Sequence, residues 1–268
     1  MNFPNIGLGT FRLKGEVVKQ SVQDALDIGY RAIDTAQIYD NELEIGQVLQ
    51  KSSIARDELF LTTKVWVDHF YPEKFIPSLK NSLTRLQVDQ VDLTLLHWPA
   101  PKMNVDLKTT LELLAEAQNL GLTQHIGVSN FNIQQVQYAI DLLGKARIFT
   151  NQIELSPYLQ NRTLVSFLKQ NDIAITSYMT LAYGKVLHDP TLKQIANLYH
   201  VSVAQVVLAW ALHHHFHVIP SSTNQAHLTS NLEAQQLVLS PEHIAMIDGL
   251  ERNSREINPE QLAPQWDI

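Results

Sequence analysis

The chain has 268 residues, 45% hydrophobic and 18% charged, the profile of a globular protein able to bury a large core. A formal net charge of −7 leaves no basic footprint, so neither nucleic acid nor an anionic membrane is an expected partner. With no cysteine there is no disulfide, thiolate metal site or thiol nucleophile, and no apolar run approaches the length of a membrane span.

The first residues, Met1-Asn2-Phe3-Pro4-Asn5-Ile6, lack the charged and apolar regions of a secretory signal, so the cytoplasm is the expected compartment. Residues 6–9 read as a strand. Residues 16–28 then place Val17, Val18, Val22, Ala25 and Leu26 on one helical face, with Gly29 as the stop. Short apolar runs follow at 32–34, 59–64 and 91–97, each ahead of a helical pattern, at 42–50, 72–86 and 107–120. The second half keeps this rhythm. Strands are expected at 126–129, 150–154, 173–178 and 217–220. Helices are expected at 133–143, 163–170, 191–212, 227–231 and 241–250.

Eight strands alternating with helices in a chain of this length favour an α/β fold of the (β/α)8 TIM-barrel type, with residues 1–268 as one domain. An open doubly wound sheet is the alternative. Against it, no Gly-x-Gly-x-x-Gly follows the first strand, where a dinucleotide fingerprint would sit.

Four polar residues close or follow three successive strand runs: Asp34, Tyr39, Lys64 and His97. Singly, each has a commoner explanation. An Asp after a strand caps a helix, a Lys at a strand end is solvated, and a loop Tyr packs. Together, at neighbouring strand ends of a barrel, they stand on the face that carries chemistry. A phenol with a pKa near 10 is a poor acid at neutral pH; an ammonium beside it favours the phenolate and lowers that value. An Asp can hold the ammonium, and an imidazole can place a carbonyl oxygen. Such a set protonates a carbonyl oxygen but supplies no hydride, so a nicotinamide is implied. The run His213-His214-His215 is expected to be a solvated helix end, since consecutive helical residues cannot all face one metal ion.

The segment Gly29-Tyr30-Arg31-Ala32-Ile33-Asp34-Thr35-Ala36, with Glu42 and Ile45-Gly46 after it, resembles the first signature of the aldo-keto reductases. Leu95-Leu96-His97-Trp98-Pro99, Gly127-Val128-Ser129-Asn130-Phe131, Asn151-Gln152-Ile153-Glu154 and Val218-Ile219-Pro220-Ser221-Ser222 match later blocks of that family in order. The resemblance implies a (β/α)8 barrel and NAD(P)H-dependent reduction of carbonyls. It makes Tyr39 the proton donor and Asp34, Lys64 and His97 the rest of a catalytic tetrad. It assigns Ser129, Asn130 and Gln152 to the nicotinamide carboxamide, Tyr178 to the ring face, and Thr10, Met179 and Leu181 to further cofactor contacts. Phe11, Trp66 and Trp98 fall on the substrate wall.

At the adenosine end the family usually carries a Lys, then a Ser, and an Arg further on. Here Ser221, Ser222, Thr223 and His227 occupy that region, with Asn231 retained. NADPH is the cofactor the resemblance implies, and the two missing cations make NADH use the alternative. The short stretch at 100–108 and the short tail after Pro259 imply an open pocket for small carbonyls. The look of the chain is similar to the group that includes bacterial 2,5-diketo-D-gluconate reductases, some of which also reduce methylglyoxal. A monomer is implied, and a non-catalytic cofactor-binding subunit of the same fold is the functional alternative.

Overall fold

Eight parallel strands follow one another in chain order around a single sheet. They are β1 (Leu8–Gly9), β2 (Ala32–Asp34), β3 (Phe60–Val65), β4 (Val91–Leu96), β5 (Thr123–Ser129), β6 (Ile148–Glu154), β7 (Ala174–Tyr178) and β8 (Phe216–Val218). This computed structural model describes residues 3–103 and 106–267, so Met1 and Asn2, Asn104 and Val105 in the 100–108 stretch, and Ile268 lie outside the described residues. The sheet closes on itself. Ile6 bridges Val218 in parallel, Gly7 N–H donates to the Val218 carbonyl at 2.9 Å, and Gly9 N–H donates to Pro220 at 3.1 Å. The result is a (β/α)8 barrel.

Strands β2, β3 and β4 are buried along their whole length, which is why they read as nearly unbroken apolar runs instead of alternating ones. Around them lie α1 (Gly15–Ile28), α2 (Glu42–Lys51), α3 (Phe75–Leu86), α4 (Leu107–Asn119), α5 (Ile133–Leu143) and α6 (Arg162–Gln170). The outer layer is completed by α7 (Pro190–Tyr199), α8 (Val203–His213), α9 (Gln225–Glu233) and α10 (Pro241–Asp248). Local signals set the ends. Gly29 stops α1 in a left-handed conformation, φ 116°, with its N–H on the Ala25 and Leu26 carbonyls. Asn132 and Gln135 form a capping box on α5. Helices α2 and α3 touch so closely at Gly46 that a Cβ there would lie 2.2 Å from the Arg85 carbonyl oxygen.

The structure departs from the sequence expectation at 191–212, which is two helices bent by 92°. His200 leaves the first at φ 54°, and Ser202 with Gln205 caps the second in its own box. That Ser-x-x-Gln was readable, but the apolar period runs on through it. β5 also begins three residues earlier than expected: Thr123 and His125 pair with Val91 and Leu93 of β4, and the polar His125 ring is covered by Phe149 at 4.3 Å. No single helix among the described residues is long and apolar enough to cross a membrane.

Candidate active site

Register brings the polar strand ends to one side of the barrel. Asp34, last in β2, pairs with Thr62, Lys64 in β3 pairs with Leu95, and His97 follows β4 with its N–H on the Val65 carbonyl at 3.2 Å. Between β2 and α2 a single helical turn, Gln37–Tyr39, turns the phenol back over β3. The Lys64 ammonium donates to the Asp34 carboxylate, and to the Thr35 carbonyl at 2.9 Å. It also reaches the Tyr39 hydroxyl at 3.4 Å and lies 4.9 Å from that ring's centre. The His97 ring stands edge-on to Tyr39 at 5.6 Å and to Trp66 at 5.2 Å. The other Asp34 oxygen accepts from Gln152 Nε2 at 2.8 Å, so the carboxylate is held from both sides.

Asp34, Tyr39 and His97 line a cavity of about 720 Å³ at the carboxyl ends of the strands. Lys64 does not reach it: the side chain is fully buried behind the phenol. Phe11, Trp66 and Trp98 line the same cavity, with Phe11 5.2 Å from Tyr39. So do Thr10, Ser129, Asn130, Gln152, Tyr178, Met179 and Leu181. Ser221, Ser222 and Thr223 carry the wall to the start of α9. His227 and Asn231 do not line it. His227 is exposed on α9, and Asn231 is on the buried face of the same helix.

Electrostatics correct one expectation. Burial pushes the Tyr39 phenol well above its ordinary pKa, and the negative charge of Asp34 adds to this. The lowering expected from Lys64 does not win, because the Lys64 charge is paired with Asp34. Burial lowers the Lys64 value and Asp34 opposes it. The Tyr39 phenol is therefore held neutral, with its proton in place. Burial also pushes His97 well below its ordinary 6.5, and the Lys64 charge adds to that. We expect a ring-nitrogen NMR titration to find His97 still neutral as pH falls through that value. The unfolded chain takes the proton that the folded ring refuses, so for this group acidification there favours unfolding. A midpoint at or above the ordinary value would contradict the assignment.

The donor set on the opposite wall fits a nicotinamide. Ser129 Oγ donates to the Gln152 carbonyl at 2.8 Å, Asn130 Nδ2 donates to the His97 carbonyl at 3.1 Å, and Tyr178 OH donates to Asn130 Oδ1 at 2.7 Å. These bonds fix uncharged amide and hydroxyl groups beside an aromatic face, the chemistry a carboxamide and a planar ring require. The backbone here is unusual: Asn130, Met179, Ala182 and Tyr183 all hold φ between 45° and 65°. Such left-handed residues cluster where a surrounding structure holds a binding surface in place.

Sequence reading missed several groups. Gln37 ties the turn bearing Tyr39 to the Trp66 loop: its Oε1 accepts from Trp66 N–H at 2.9 Å and meets His69 Nδ1 at 2.8 Å. Its Nε2 donates to Ser78 and Ser82 on α3 at 3.1 and 3.2 Å. Ile257, Pro259 and Leu262 line the cavity too, so the tail walls a pocket that its shortness was expected to leave open. Of these, only Gln37 stands near a readable motif.

Residues 5–252 match the model of the aldo/keto reductase family, and the chain belongs to that family. It is thereby an oxidoreductase of carbonyl groups, in a family whose reductases use nicotinamide cofactors. Over 267 residues, and 100% of both chains, it is 53% identical to methylglyoxal reductase DkgB of Yersinia pestis. It is 37% identical over 266 residues to the glyoxal reductase of Bacillus subtilis (strain 168), covering 98% of this chain and 94% of that one. A crystal structure of a candidate 2,5-diketo-D-gluconic acid reductase B superposes with a TM-score of 0.96 at 41% identity. It covers 100% of this chain and 95% of that one.

Proposed function

We propose that the protein reduces small aldehydes and ketones, dicarbonyls such as methylglyoxal and keto-sugars among them, to alcohols, with Tyr39 as proton donor and NADPH as cofactor. The observation that carries this is the relay from Asp34 through Lys64 to Tyr39, ending beside His97 in one aromatic-walled cavity. The names of the relatives, methylglyoxal and glyoxal reductases, support the substrate class.

A bound reduced nicotinamide supplies hydride from its C4. Ser129, Asn130 and Gln152 would hold its carboxamide, Tyr178 its ring face, and Thr10, Met179 and Leu181 the flanks. His97, neutral, donates an N–H to the carbonyl oxygen and sets its direction toward Tyr39. Tyr39 gives its proton as negative charge gathers on that oxygen. Lys64, 3.4 Å away, then stabilises the phenolate left behind. This stabilisation matters most in the transition state, when the phenol acquires charge, and that is where binding energy accelerates a reaction. Asp34 orients Lys64. Phe11, Trp66 and Trp98 exclude water around the reacting carbon and select for compact carbonyls.

Ser221, Ser222 and Thr223 would meet the adenosine phosphate at the N-terminus of α9, whose first N–H groups are partly taken by the Asn224 side chain. His227 faces solvent beyond them, and Asn231, on the buried face of α9, would help seat that helix. We place NADPH first on the family resemblance, and NADH second because hydroxyls stand in place of cations there. Fluorescence titration with both dinucleotides tests this. Ser221→Lys should tighten NADPH by about tenfold, one added charge-assisted bond, and leave NADH unchanged. Equal effects on both cofactors would remove Ser221 from the phosphate site. A cytoplasmic monomer is the form we propose, on the resemblance.

A further inference from the structure

Glu154, the last residue of β6, is a buried carboxylate that the reaction described above does not use. It is 1% exposed. One carboxylate oxygen accepts the Glu256 N–H at 2.7 Å and the other accepts the Ile257 N–H at 2.9 Å. Burial pushes this carboxyl up, and the two N–H groups and the Arg255 charge oppose that. A carboxylate presents acceptors alone, so it can take two consecutive backbone amides, and such bonds are the strong kind.

The segment it grips forms a wall of the cavity. Ile257 gives its N–H to Glu154 and lines the cavity together with Pro259 and Leu262. The neighbouring Arg255 donates to Asn161 Oδ1 at 2.8 Å, and Asn161 in turn donates to the Glu154 carbonyl at 2.7 Å. The Arg255 guanidinium lies 3.6 Å over the Trp266 ring, and Trp266 meets Trp98, itself in the cavity wall, edge-on at 6.5 Å. Glu256 carries the contact to the opposite loop, its carboxylate pairing with Lys185 at 2.7 Å. A residue two places past Gln152 thus fixes backbone about a hundred positions later, and that backbone bounds the space in which a carbonyl substrate sits.

We propose that Glu154 is a positioning residue that sets the substrate-side wall: by holding the amides of residues 256 and 257 it fixes the tail segment against Trp98 and so governs the fit of small carbonyl substrates. The kinetic part of this rests on the carbonyl-reductase reading above; the structural part does not. Glu154→Gln keeps the shape and one acceptor but turns an NH2 group toward a backbone N–H.

The test pairs amide hydrogen exchange with steady-state kinetics. In Glu154→Gln, exchange at Glu256 and Ile257 should speed by about tenfold or more, as for the loss of one charge-assisted hydrogen bond. KM for methylglyoxal should rise by about tenfold, the scale of one lost pocket contact, while kcat and the NADPH Kd stay near wild type. Unchanged exchange overturns the proposal, and so does a KM rise matched by an equal loss of NADPH affinity, which would mark a merely structural residue. Should Glu154→Gln fail to fold, Trp266→Leu loosens the same segment from the solvent side and should raise KM with kcat unmoved; an unchanged KM there overturns the proposal as well. If the wild-type protein reduces no carbonyl at all, the exchange measurement alone decides, and the failure belongs to the reductase reading.

Discussion

Tyr39→Phe is expected to lower kcat by about 10²–10⁴-fold while leaving the dinucleotide Kd nearly unchanged. The substitution removes one oxygen and keeps the ring. The contacts of that ring with Phe11, His97 and Lys64 therefore persist, and the cavity keeps its shape. What disappears is the one hydroxyl, among the described residues, that hydrogen-bonds Lys64 and lines the cavity. Burial and Asp34 hold the phenol neutral, so the proton that the substitution removes is present in the wild type. Steady-state kinetics with a fluorescence titration of NADPH separates the two quantities. Retained turnover would show that a different group, His97 or solvent, delivers the proton.

Lys64→Met is expected to damage stability and turnover together. The ammonium is fully buried and paired with an Asp34 carboxylate that is itself nearly buried. Taking away one partner leaves the other as an uncompensated charge, at a cost of about 3–5 kcal/mol. The Gln152 amide still donates to Asp34, so the carboxylate is not wholly abandoned, and the lower end of that range is the better expectation. Chemical denaturation reads this as a lower midpoint at unchanged slope. The double variant Asp34→Asn, Lys64→Met removes both charges and should recover most of the lost stability while turnover stays low. Recovery of both would show that the pair serves folding alone; recovery of neither would show that Lys64 packs rather than pairs.

How far the molecule could be read from its sequence depended on how local each signal was. The strand ends were legible because buried parallel strands are short apolar runs, and Asp34, Lys64 and His97 interrupt three of them at the same end. Ser129, Asn130 and Gln152, at the ends of β5 and β6, came only with the family resemblance, and the structure brings all three to the same cavity. The direction of the Tyr39 shift was not legible, because it depends on how deeply the ring is buried and on which partner claims the Lys64 charge. Neither is a property of spacing. The tail was read by its length, which says nothing about the two N–H groups of residues 256 and 257 that Glu154 draws in from far along the chain. His227 was assigned by position in a motif, and the structure turns it to solvent because α9 begins at Gln225 and points its third residue outward.

The most direct test of the central claim is the fall in reduced-nicotinamide absorbance when methylglyoxal is added to the wild-type protein with NADPH, alongside Tyr39→Phe under the same conditions. The account predicts that the wild type oxidises one NADPH for each alcohol formed and that Tyr39→Phe, with NADPH still bound, oxidises almost none. A wild-type protein that binds the dinucleotide and leaves it reduced with methylglyoxal and with other small dicarbonyls would contradict it.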